Sequence, residues 1–326
     1  MASALPPEPV GVRVRAPAKI NLALCVGPPR QDGYHPLATV YQAVSLYDEV
    51  HAAWAEPGEY TVSVSGEGAD LVPTDETNLA LRAARLLARA YGEGDSLGAG
   101  LSIKKSIPVA GGLAGGSANG AAALLACAVL WDLDVGLEEL TVLAAELGSD
   151  VPFALLGGTA LGSGRGEHVV PVLARGGYHW VLAFGHHGLS TPAVYRRHDQ
   201  MGAAKAGPAD AGKLPHDVGG RARAPEVPPA LMNALRGGDP AAVGAALVND
   251  LQPAALDLQP RLRQVLEAGV EYGALGALVS GSGPTCAFLA ASEAAAVELS
   301  VALSADGQCR AVRRATGPVT GARVIG

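Results

Sequence analysis

Pro108-Val109-Ala110-Gly111-Gly112-Leu113-Ala114-Gly115-Gly116-Ser117-Ala118-Asn119 is the stretch on which the reading of this chain turns. Leu101-Ser102-Ile103, a short strand pattern, precedes it, and an Ala/Leu-rich helix pattern follows to about Trp131. Glycines let backbone approach a ligand closely and aim successive N–H groups at it. The helix start adds unpaired N–H groups and the positive end of its dipole. The run therefore predicts a phosphate-binding loop. A plain flexible turn is the alternative, and two glycine pairs between a strand and a strong helix argue against it. Ser117 stands where a hydroxyl reaches a phosphate or its metal. No Lys follows the glycines, so this is not G-x-x-x-x-G-K-[ST]. The G-x-G-x-x-G spacing of a dinucleotide-binding dehydrogenase is also missing, as are H-E-x-x-H and G-x-S-x-G.

Outward from the loop, helix and strand patterns mix. Val10, Val12 and Val14 alternate with polar or small residues and predict a strand that leads into Pro17-Ala18-Lys19-Ile20-Asn21. Tyr60 to Ser65 alternates likewise, and Thr77 to Tyr91 has helical spacing. Leu137 to Leu147 reads as a helix, Gly148 to Pro152 as a loop or a new helix start, and Tyr178 to Phe184 as a strand. Residues 201–229 are rich in Gly, Ala, Pro and basic residues and read as a linker or mobile insert. Helices about 239–249 and 260–269 follow, then a strand-turn-strand from Ala277 to Leu289, a helix about 292–304 and a strand about 309–315. The absence of a strict βαβ rhythm predicts an α+β fold. The 326 residues suggest two domains, placed at 1–175 and 176–326.

Composition narrows the function. Apolar residues make up 49% and charged ones 17%, so the chain can bury a core. A net charge of −7 argues against a nucleic-acid binder. The longest apolar stretch, Ala121 to Trp131, falls short of a membrane span. The N-terminus has no basic or apolar signal region. Cys25, Cys127, Cys286 and Cys309 form no CxxC pair and read as reduced thiols, which gives a cytoplasmic expectation. Lysine is scarce, at Lys19, Lys104, Lys105, Lys205 and Lys213. A chain this biased toward Arg keeps Lys where a compact ammonium is wanted, or does so by chance.

Four further features carry chemistry. Ser280-Gly281-Ser282-Gly283-Pro284-Thr285 lies between two apolar strands, as an ordinary hairpin or as a second glycine loop packed near the first. Asp150 precedes Pro152, where an aspartate is usually a helix cap. Lys19 directly follows a strand, where a lysine is usually solvated. Asp32-Gly33-Tyr34-His35 is a surface turn, or a ring and an imidazole suited to stacking on and hydrogen-bonding a flat base.

Together these motifs resemble the GHMP family of small-molecule kinases over nearly the whole chain. Pro17 to Leu22 is similar to the first motif of one branch, and Asp32 to His35 to its cytidine-binding turn. Pro108 to Asn119 resembles the ATP loop, Leu147 to Pro152 the catalytic-aspartate segment, and Ser280 to Thr285 the third glycine motif. Ser190 to Tyr195 and Asn249 to Leu251 also fit. Ala114 departs from a common glycine, and Ala118-Asn119-Gly120 from a more usual small polar run. The resemblance implies a two-domain fold, with a ribosomal-protein-S5-domain-2-like N-terminal domain and a ferredoxin-like C-terminal domain. It implies ATP as donor, with Mg2+ (Ser117 its candidate ligand), and a cytidine-diphosphate-linked methylerythritol as acceptor, without nucleic acid or membrane. Asp150 would be the general base, paired with Lys19. Asn78, Lys105 and Pro108 to Ala118 would bind ATP. Asn21, Tyr34, His35, Thr191, Tyr195, Gly281, Ser282 and Gly283 would bind the acceptor. A homoserine- or mevalonate-type kinase and a non-catalytic nucleotide sensor remain as alternatives.

Overall fold

The computed structural model describes residues 11–92, 96–210 and 224–325, with residues 203–210 described by backbone alone. In chain order the elements are β1 (Gly11–Val26), β2 (Leu37–Trp54), β3 (Tyr60–Gly66), α1 (Leu79–Tyr91), β4 (Ala99–Lys105), α2 (Gly115–Leu130), α3 (Leu137–Leu147), α4 (Val151–Leu156), β5 (Thr159–Gly164) and β6 (His168–Pro171). The second half holds β7 (Tyr178–Phe184), α5 (Thr191–Asp210), α6 (Pro229–Gly237), α7 (Pro240–Ala245), β8 (Val248–Asn249), α8 (Gln252–Leu258), α9 (Arg261–Glu271), β9 (Gly276–Val279), β10 (Cys286–Ala290), α10 (Glu293–Ala305), β11 (Ala311–Gly317) and β12 (Arg323–Val324).

The first sheet runs β12-β1-β2-β4-β3, with β5 and β6 added along β2 and β8 beside β1. β1 and β2 form a long antiparallel hairpin, while β3 and β4 are parallel and joined through α1. Early in β1 burial alternates, as a strand with one wet face requires. From Ala16 to Leu24 every residue is buried, because α2 and α4 cover one face and second-half elements the other. α2 is apolar nearly all round and lies in the core against α1, β1 and β2. Its buried alanines let the sheet approach closely. α1 starts at an Asn78 cap whose side chain accepts from the Ala80 N–H.

The second sheet is antiparallel in the order β11-β7-β10-β9. Counted by their own sequence order, its strands run 4-1-3-2, the ferredoxin-like arrangement. Trp180 of β7 is fully buried and donates its indole N–H to Gln42 of β2 at 2.8 Å, tying the two sheets together. β8 and β12, from late in the chain, complete the first sheet.

Several expectations change. The strand at Val10–Val14 continues to Val26. The linker expected from 201 is helical up to Asp210, because its alanines are strong helix formers whether or not they bury anything. Residues 211–223 of that expectation lie outside the described residues. The helix expected over 239–249 stops after Ala245, and Val248–Asn249 pairs parallel with β1 instead. β2, β5, β6, α6 and α8 carry no reading from sequence. Among the described residues no helix is long and apolar enough to cross a membrane.

The four cysteines are free. Burial pushes the Cys25 thiol up to about 11, with Asp250 adding to it, Cys127 to about 12, and Cys309 to about 11 with help from Asp306. Cys286 is raised further by burial and by Cys309. Since the thiolate is the reactive form, the native protein at pH 8 is expected to react slowly with Ellman's reagent. All four thiols should then titrate rapidly in denaturant; a fast native equivalent would contradict this burial.

Candidate active site

A cleft of about 660 Å3 opens between the two halves. One wall is the glycine loop after β4. The first intrahelical bond at the start of α2 is Ala118 N to Ala114 O, so the N–H groups of Gly115, Gly116 and Ser117 precede it and are available to an anion. Reaching this geometry puts two alanines, Ala110 (φ 52°) and Ala114 (φ 57°), in the left-handed region. Gly112 (φ 76°) has no room for a side chain, because its Cα packs against the backbone of Ser280 and Gly283. Ser280 Oγ donates to Gly112 O at 3.1 Å, and Thr285 N to Gly111 O at 3.3 Å. The two glycine loops thus pack on each other, and the second is no ordinary hairpin. Asn249 holds the second loop by donating to Val279 O and Gly281 O.

Beneath the first loop lies a charged cluster. Asp48 of β2 has no exposed surface. Its Oδ1 accepts the backbone N–H groups of Ser106 (2.7 Å) and Ile107 (2.8 Å), and its Oδ2 accepts from Lys105 Nζ and from Asn119 Nδ2 (2.8 Å). Lys105 also donates to Asn119 Oδ1 at 3.2 Å. The Lys105 ammonium lies beside the Cα of Gly115, so it adds positive charge under the helix start while its bonds stay within the protein.

Across the cleft, Lys19 of β1 points its ammonium toward Asp150 at 3.6 Å and donates to Asn21 Oδ1 at 2.7 Å. Asn21 in turn donates to Thr39 Oγ1. The backbone N–H of Lys19 bonds Leu113 O at 3.1 Å, which joins this strand to the phosphate loop. Asp150 occupies the cap position of α4, yet its side chain makes no cap bond. The carboxylate is turned into the cleft, 27% exposed, and Tyr41 faces it. Tyr41 stacks on Phe153 at 4.9 Å. Its phenol is held well above its ordinary pKa, first by burial and then by the nearby Asp150 carboxylate. The phenol thus stays a donor through neutral pH.

The outer end of the cleft is aromatic. His35 is buried and its ring lies 5.1 Å from that of Tyr195 on α5. Its Nδ1–H donates to Gly27 O at 2.7 Å. Tyr34 is exposed, with the Arg165 guanidinium 5.0 Å above its ring. Thr191 and Ser282 share a hydroxyl–hydroxyl bond of 2.8 Å.

Most residues expected from sequence therefore meet in one cleft: Lys19, Asn21, Tyr34, His35, Lys105, Pro108, Val109, Ala110, Ser117, Asp150, Thr191, Tyr195, Gly281 and Ser282 all line it. Asn78, Leu113, Ala118 and Gly283 are not brought to its wall. Both polar groups of Asn78 are taken up locally, by Ala80 N and Pro73 O. Tyr41, Asp48, Asn119 and Arg165 carry no role in the sequence reading. The departure at Asn119 was the signal for the buried cluster. No cluster of three or more His, Cys, Asp or Glu fit to hold a metal occurs among the described residues.

An anion cradle on one wall and an ammonium-paired carboxylate on the other place the molecule among phosphoryl-transfer enzymes with small acceptors. The family models for the GHMP kinases N terminal domain and the GHMP kinases C terminal match residues 78–158 and 231–309. A 4-diphosphocytidyl-2-C-methyl-D-erythritol kinase of Mycolicibacterium smegmatis is 54% identical over 96% of this chain and 92% of its own length. A crystal structure of 4-(cytidine 5'-diphospho)-2C-methyl-D-erythritol kinase superposes with TM-score 0.69 at 33% identity, covering 93% of this chain and 98% of that one. A homoserine kinase from Cytophaga hutchinsonii reaches TM-score 0.72 at 20% identity, over 99% of both chains, so the fold by itself does not select the acceptor. The chain belongs to the GHMP kinases and, within them, to the 4-diphosphocytidyl-2-C-methyl-D-erythritol kinase family.

Two variants test this reading of the loop. Asp48→Ala leaves the buried Lys105 ammonium without its carboxylate, with Asn119 Oδ1 as its remaining acceptor, and two backbone N–H groups without theirs, and is expected to cost about 3–5 kcal/mol in urea unfolding. Ala114→Gly removes a left-handed strain of about 1–2 kcal/mol, partly offset by glycine's extra unfolded-state entropy, so stability should hold or rise slightly. A loss of stability in Ala114→Gly would contradict the strain.

Proposed function

We propose that this kinase transfers the γ-phosphoryl group of ATP to the C2 hydroxyl of 4-diphosphocytidyl-2-C-methyl-D-erythritol. The observation that carries the reading is the Lys19–Asp150 pair, 3.6 Å apart, lying between the phosphate loop and the aromatic end of one cleft. The relatives' printed names supply the acceptor, and the Tyr34, His35 and Tyr195 rings provide surfaces for a cytosine.

The C2 hydroxyl is tertiary and weakly nucleophilic at neutral pH. Asp150 takes its proton as the oxygen bonds to the γ-phosphorus and the bond to the ADP oxygen breaks. An aspartate that leaves its helix cap unmade and turns into the cleft is free for that task. Lys19, fixed by Asn21, keeps positive charge beside the carboxylate and the developing anionic charge. Tyr41, beside the carboxylate in the cleft wall, would orient it. The N–H groups of Gly115, Gly116 and Ser117 receive the donor phosphates, with the Lys105 charge behind them. Ser117 would hold a Mg2+ together with the phosphates; when bound, the ion would neutralise phosphate charge. Most of the acceleration comes from positioning and electrostatics.

Asp150→Ala is expected to lower kcat by at least about 10² with ATP binding retained. Near-wild-type turnover would remove Asp150 from the base role. His35→Ala should chiefly raise KM for the cytidylated acceptor; loss of ATP binding instead would reverse the two pockets. The reading itself is tested by ADP release from Mg-ATP with 4-diphosphocytidyl-2-C-methyl-D-erythritol, methylerythritol 4-phosphate, homoserine and mevalonate side by side. Turnover is expected with the first alone, and turnover of an acceptor lacking cytidine would overturn the assignment.

A further inference from the structure

His35 has a partner at each ring nitrogen, one from each half of the chain; with Nδ1–H donated to Gly27 O, the Asp199 carboxylate holds Nε2 when the ring is the doubly protonated imidazolium. Nδ1–H donates to Gly27 O within the β1–β2 turn. Nε2 lies 3.4 Å from a carboxylate oxygen of Asp199, which belongs to α5. The imidazole is nearly enclosed while Asp199 is partly open to solvent.

The rest of α5 is anchored separately. Val194 is fully buried, Arg197 pairs with Asp257 at 2.7 Å, and His198 bonds Asp250 O at 3.1 Å. Asp250 also accepts the Val26 N–H, so the strand end before the turn is pinned by the second half too. The groups facing His35 are thus Gly27 O from its own turn, and Tyr195, His198 (ring centroid 6.5 Å away) and Asp199 from α5. Of these Asp199 is the one carboxylate that meets a ring nitrogen.

Tyr195 stands one helical turn before Asp199, on the same face. A single helix thus carries the ring that packs on His35 and the carboxylate that fixes how far His35 is rotated. Losing the carboxylate leaves Gly27 O as the one polar tether of the imidazole, with ring packing alone to set its rotation.

We propose that Asp199 is a positioning residue for acceptor recognition, acting through His35 and without part in phosphoryl transfer. This rests on the reading of the aromatic end as the cytosine pocket. Asp199 lies outside the cleft lining and meets the cleft through His35, so its effect is expected on the acceptor and not on the nucleotide.

The test is steady-state kinetics on the full chain, with 4-diphosphocytidyl-2-C-methyl-D-erythritol and ATP varied in turn, for wild type, Asp199→Asn, Asp199→Glu, His35→Ala and the His35→Ala/Asp199→Asn pair. Asp199→Asn is expected to raise the acceptor KM about three- to fivefold, the scale of one partly exposed ion pair. Its kcat and ATP KM should stay at wild-type values, and Asp199→Glu should recover most of the acceptor KM. In the His35→Ala background the same Asp199 change should have no further effect. An unchanged acceptor KM in Asp199→Asn overturns the proposal. So does an equal penalty in both backgrounds, or a parallel rise in ATP KM, which would mark a general loosening of α5. Wild-type enzyme inactive on the cytidylated acceptor but active on another would instead refute the acceptor assignment, separately from any effect of Asp199.

Discussion

A carboxylate with no access to water organises this molecule. Burying Asp48 carries a large desolvation cost, and the fold meets it with four donors: two backbone N–H groups at the exit of β4, the Lys105 ammonium and the Asn119 amide. Those donors come from the end of β4, the two residues after it and α2, which flank the phosphate loop, while the acceptor comes from β2. The cluster therefore sets where both ends of the loop begin. A loop strung between two fixed ends presents its N–H groups in one arrangement, which is what anion binding without reorganisation requires.

The same economy of anchoring places the reactive pair. Lys19 is bound through its backbone to Leu113 and through its side chain to Asn21 and Asp150. The second glycine loop, pinned by Asn249 and by Ser280 on Gly112, comes up against both Lys19 and Asn21. Neither half of the chain owns the cleft. β8 and β12 return to the first sheet, and Trp180 of the second sheet bonds into the first, so the two walls are held by the same packing that holds the core.

Local preference gives way where the ligand makes demands. Ala110 and Ala114 take left-handed backbone that alanine disfavours. Surrounding bonds over-determine the loop, and strain of this kind persists only under such constraint. Asp150 shows a second conflict, since it holds a cap position and makes no cap. In both places the local rule loses to the geometry of the cleft.

The amino-acid sequence by itself determined the loops, the helix after the first of them, the α+β class and most of the cleft residues. The loops, the helix and the class are legible because glycine spacing and hydrophobic period are local properties of the chain, while most of the cleft residues were legible through the resemblance to a kinase family. Strand β2 escaped notice because it is buried on both faces over much of its length and loses the alternation that marks a strand. β8 escaped because two residues have no period at all. Only the tertiary structure decided that Asn78 caps a helix, that Lys105 is bound to Asp48, that Tyr41 faces Asp150, and that His35 is gripped from α5. Each of these is a pairing between side chains that are distant in sequence or compete for several partners. The burial that makes such a pairing strong exists only once both sheets have closed around it.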